Sequence, residues 1–60
     1  MEFSEKELRQ FIKNEEFQYI SECLDFMEHL TRRKLIQLVN DKQYKNKIPQ
    51  YLLDQLAEFR

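Results

Sequence analysis

Apolar residues return at helical spacing along the stretch from Phe17 to Val39, which contains neither Gly nor Pro. Ile20, Leu24, Met27, Leu30 or Thr31, Leu35 and Leu38 fall on one stripe of a helix. A second stripe of Tyr19, Cys23, Phe26 and Leu30 lies beside it, so the apolar arc needs cover from two directions. Either the flanking segments fold onto it or part of it is left for another chain.

The flanks also read as helices. Ser4 and Glu7 have the spacing of a capping box, with Phe3 and Leu8 at the positions of a hydrophobic staple, so a first helix is expected from about Ser4 to Lys13. Asn14-Glu15-Glu16 then reads as a fresh N-cap followed by acids against the positive helix end. The central helix is expected from about Glu15 to Asn40. The alternative is a break with Thr31 as a new cap, giving four short helices. Continuity is favoured because Arg32, Arg33 and Lys34 would otherwise crowd the positive first turn of a new helix. Asp41 to Lys47 reads as a polar loop, and Pro49 opens a last helix to about Phe59 with Leu52, Leu53, Leu56 and Phe59 as its apolar face.

The expected fold is therefore all-α: one domain over residues 1–60, a small helical bundle with a short first helix, a long central helix and a short C-terminal helix. A continuous central helix would be about 39 Å long, more than two short flanking helices can cover. The exposed remainder predicts a homodimer.

Composition sharpens this picture at three points. Charged residues make up 35% of the chain, but five Phe, three Tyr and a formal net charge of −1 argue against disorder. A single cysteine makes no internal disulfide and, with no secretory leader, suggests a reducing, cytoplasmic setting. Charged side chains interrupt every apolar run, which excludes a transmembrane helix as an expectation.

Charge is unevenly divided: residues 1–30 hold eight acids against three bases, and residues 31–60 three acids against seven bases. Arg32, Arg33, Lys34, Lys42, Lys45 and Lys47 are a candidate basic patch for nucleic-acid phosphates or an acidic protein surface. A solvated helix and loop is the simpler account, because a nucleic-acid-binding domain is usually strongly basic overall and this chain has a net charge of −1. Glu22, Asp25 and His29 share a face of the expected helix but lack the further ligands a metal needs, so neither metal nor cofactor is expected. Cys23 has no activating partner beyond His29 and no oxyanion loop, so it reads as a small buried hydrophobe and no enzyme is expected.

Ser21-Glu22-Cys23-Leu24-Asp25 resembles, at Ser21, Leu24 and Asp25, the Ser-Gln-Glu-Leu-Asp motif of small helical aspartyl-phosphate phosphatases of sporulating bacteria. That resemblance would imply a role in two-component signalling, with Asp25 the residue at stake. It covers five residues and does not establish membership.

Binding is left as the expected activity: a small intracellular regulator of a signalling or transcription protein, holding its partner through Tyr19, Cys23, Phe26 and Leu30. The alternative is a nucleic-acid-associated regulator using the basic half.

Overall fold

The first helix starts where Ser4 and Glu7 exchange hydrogen bonds: the Glu7 N–H donates to Ser4 Oγ at 3.2 Å, and the Ser4 N–H to Glu7 Oε1 at 3.0 Å. Two otherwise orphaned donors are thereby satisfied. The computed structural model describes residues 2–59. α1 spans Glu5–Lys13, α2 Phe17–Cys23, α3 His29–Val39 and α4 Gln50–Ala57, with 3₁₀ turns at Leu24–Phe26 and Lys45–Lys47. The described residues are helical with no strand, as the pattern predicts.

α1 ends as expected at Lys13, but Asn14 is its C-cap and not the N-cap of the next helix. The Glu15 N–H donates to the Ile12 carbonyl and the Glu16 N–H to the Phe11 carbonyl, which together make a Schellman closure. Glu15 takes the left-handed position of that motif at φ 58°. Glycine usually occupies it, because a Cβ is crowded there.

The continuous central helix does not form. α2 stops at Cys23, a 3₁₀ turn follows, and Met27 (ψ 144°) and Glu28 (ψ 154°) are extended before α3 begins at His29. Nor is Thr31 the cap: the break lies four residues earlier, and Thr31 is buried inside α3. The electrostatic objection to a break is met by this placement. Glu28 puts an acid at the N-cap, and Arg32, Arg33 and Lys34 begin at the fourth helical position, beyond the end that repels them.

Breaking there folds the apolar stripe back on itself. Ile20, Leu24, Met27, Thr31, Leu35 and Leu38 are all buried, although they now come from two helices and a turn. A straight helix would have carried the second half of the stripe away from the first, a poor arrangement in a chain with so little interior. α1 packs on α2 and α3, and α4 packs on the same two from elsewhere, joining all four helices around one core. The result measures 25 × 23 × 18 Å. Exposed length of a long helix was the ground for expecting a homodimer, and that ground is gone.

The α3–α4 link is polar but is not a simple loop. Tyr44 and Ile48 are buried within it, and the Tyr44 and Lys45 N–H groups both return to the Asp41 carbonyl. Pro49 is the N-cap of α4, one residue outside the expected first turn, and its carbonyl accepts from Leu52 and Leu53. α4 ends at Ala57, two residues short of Phe59. Among the described residues no helix is long and apolar enough to cross a membrane.

Candidate functional site

The second apolar stripe, unlike the first, is largely left on the surface. Phe26 is 68% exposed, Leu30 66% and Tyr19 43%. Cys23 departs from this set: it is buried, so it belongs to the core and not to an outward face. The break explains the sorting. Met27 turns inward between α2 and α3, while Phe26 and Leu30 stand on either side of it and face outward.

Tyr19 is held at the rim of an aromatic cluster where α1 meets α2. Its ring lies edge-on to Phe11 at 5.2 Å, and Phe11 is edge-on to Phe3 at 5.2 Å, the geometry favoured by ring quadrupoles. The Cys23 side chain, one helical turn on, is the main cause that raises the Tyr19 pKa, with burial and then Glu16 and Glu7 adding to it. The hydroxyl thus stays neutral to higher pH than usual.

The basic residues do not form one patch. Arg32 is half-buried, donates to the Leu24 carbonyl at 3.2 Å and lies 4.6 Å over the Phe59 ring. Arg33 lines a shallow groove of about 380 Å³ with His29, Ile36, Gln37 and Phe59. Lys47 instead lines a groove of about 440 Å³ between α1 and the α3–α4 link, opposite Lys6, Arg9 and Lys13. Lys34, Lys42 and Lys45 are exposed outside both grooves.

Dividing the charge by halves of the chain hides the cations of α1. Lys6, Arg9 and Lys13 nonetheless follow helical spacing, which is the signal that places them on one face. Arg9 lines the groove between them: it donates to the Tyr44 hydroxyl at 3.3 Å and pairs with Glu5 at 3.3 Å. The bond to Tyr44 raises the Arg9 pKa, against desolvation, which lowers it; Glu5 raises it further.

His29 stands on α3, separated by the break from Glu22 on α2 and Asp25 in the 3₁₀ turn. Among the described residues no three His, Cys, Asp or Glu side chains are grouped to hold a metal ion. Within the short phosphatase-like stretch, Leu24 is core and Asp25 is exposed. The Ser21 hydroxyl donates to Gln55 Oε1, and Gln55 Nε2 returns a bond to the Ser21 carbonyl at 3.1 Å, tying α2 to α4.

The chain matches no protein-family model, and no curated protein or solved structure matches it.

Proposed function

We propose that this chain is a small binding module, not a catalyst, and that it holds a protein partner through the surface bearing Tyr19, Phe26 and Leu30. The observation that supports this reading is the sorting of the two stripes. A fold that buries fourteen apolar side chains among the described residues leaves Phe26 and Leu30 two-thirds exposed on either side of a buried methionine. Aromatic and aliphatic side chains of this size are the usual centres of protein interfaces. Tyr19 adds a rigid ring already held by Phe11, so little conformational freedom is lost when it is covered.

A signalling or transcription component is the partner class we favour, since so small a module acts by occupying a surface of something larger. A second copy of the chain is the other occupant such a face accepts.

The experiment is a tagged pull-down from the source cells with and without nuclease, comparing the native chain with a Tyr19→Ser, Leu30→Ser variant whose fold is checked by circular dichroism. A protein retained after nuclease and lost with the variant supports the reading. Loss of all partners on nuclease treatment transfers the function to the basic side chains, and retention by the variant removes the apolar face from consideration. Light scattering over a concentration series separates self-association from capture of another protein.

A further inference from the structure

The groove between α1 and the α3–α4 link is built unlike the apolar face. Lys6, Arg9 and Lys13 line one wall, Gln43 and Lys47 the other, and the Arg9–Tyr44 bond closes the floor. Four cations thus surround about 440 Å³ with one carboxylate, Glu5, whose charge is already matched by Arg9 at 3.3 Å. Among the described residues, Lys6, Lys13 and Lys47 have no ion pair of their own. Gln43 adds an amide donor, its backbone N–H being fixed by Asp41 Oδ1 at 2.8 Å so that this wall has a defined course.

Three lysines converging on one concavity repel one another, and an anion between them relieves that repulsion. The spacing restricts which anion. Lys6 and Lys13 start two turns apart, about 10.5 Å along the helix, and Lys47 approaches from across the groove. A single compact phosphate meets one or two of these ammonium groups, whereas an extended anion meets all three. Tyr44 is the one aromatic lining the groove, and it is buried with its hydroxyl bonded to Arg9. No exposed ring is therefore offered for base stacking, which single-stranded nucleic acids use.

We propose that this groove is a binding site for an oligophosphate, a chain of linked phosphate groups, with Lys6, Lys13 and Lys47 as its charged contacts and Gln43 as a neutral donor. The site is separate from the surface of Tyr19, Phe26 and Leu30 and does not depend on it. Linked phosphates occur as an inorganic chain or as the tail of a nucleoside triphosphate, and the groove recognises what the two share.

Amide chemical shifts of the intact chain, followed by NMR during titration with sodium tripolyphosphate, test this. Saturable shifts confined to Lys6–Lys13 and Gln43–Lys47 are expected, with binding weakened about tenfold or more by Lys13→Glu with Lys47→Glu. Both lysines are exposed, so the variant should fold, and Lys13→Gln with Lys47→Gln gives a milder loss if it does not. A nucleoside triphosphate binding as tightly as tripolyphosphate supports the inorganic chain as the recognised group. Binding about tenfold tighter supports the site and assigns the nucleotide as its source. Absence of saturable shifts overturns the proposal, as does equal affinity for polyglutamate, which would show attraction by charge alone. Tighter binding of a thymidine oligonucleotide overturns it in favour of nucleic acid.

Discussion

The guanidinium of Arg32 donates to the Leu24 carbonyl 3.2 Å away, joining α3 to the 3₁₀ turn that ends α2. An arginine that sequence alone offers as a nucleic-acid contact is thus the clasp of the α2–α3 junction. Its guanidinium also lies over Phe59, beyond the end of α4, so one side chain of α3 touches two other parts of the chain. Arg32→Ala should lower stability by about 1.5–3 kcal/mol, mostly through the lost charge-assisted bond. Urea unfolding followed by circular dichroism measures this. A midpoint unchanged by Arg32→Ala would show that the clasp carries no stability. It also follows that Arg33 and Lys34, not Arg32, are the positions at which to reverse charge when testing nucleic-acid binding.

Glu15 provides the opposite case, a residue whose native backbone is unfavourable. Its φ of 58° closes the Schellman motif after α1, but its side chain gains no compensating hydrogen bond among the described residues. Glu15→Gly should therefore stabilise the chain by roughly 0.5–1 kcal/mol, and a β-branched Glu15→Val should destabilise it. Thermal melts of the two variants should move in opposite directions. A glycine variant that melts lower would show that the side chain has a role the geometry does not reveal.

These two residues mark how far the fold is legible in the sequence. The inward stripe from Ile20 to Leu38 survives the break intact, because burial depends on which residues face the core and not on whether one helix carries them. The capping box is local and is read directly from Ser4 and Glu7. The break is not local. Extended backbone at Met27 and Glu28 is open to any residue, and the ties that flank it, Arg32 on Leu24 and Gln55 on Ser21, the latter 34 residues apart, are not visible in the local pattern. Tyr44 is hidden for the same reason: it looks like one aromatic in a polar loop until Arg9, 35 residues earlier, takes its hydroxyl. On the candidate site, the sequence distinguishes the outward stripe from the inward one but counts Cys23 in the outward set although it also reads as a small buried hydrophobe, and it joins basic residues of which the fold puts Arg32 in a clasp, Arg33 and Lys47 in separate grooves and Lys34, Lys42 and Lys45 outside both.

The Ser21–Gln55 pair is a second tie between distant elements, and here the amide must both accept and donate. Gln55→Glu keeps the size but replaces the donor to the Ser21 carbonyl with an acceptor. The loss should be about 1–2 kcal/mol at neutral pH, smaller at acid pH where the carboxyl regains a proton to donate. Ser21→Ala with Gln55→Ala should show a coupling of about 0.5–1.5 kcal/mol in a double-mutant cycle. Strict additivity would mean that the two side chains do not interact in solution.

Tyr19 makes the last prediction, through the influence of Cys23 one turn away. The fold raises its pKa, so the native state favours the neutral phenol more than the unfolded chain does. For a group shifted in this direction the contribution to stability is fully present below the unfolded pKa, about 10, and is lost as pH rises through the higher folded value. Stability contributed by this contact should therefore be flat through the neutral range and decline only in strong alkali. Ultraviolet titration of tyrosinate should show that the component removed by Tyr19→Phe lies above pH 10, and Cys23→Ala should move that component downward, since the thiol is the largest cause of the shift. If Cys23→Ala leaves it in place, the thiol across that turn of α2 is not what protects the phenol, and the neighbouring Glu16 and Glu7 become the groups to change next.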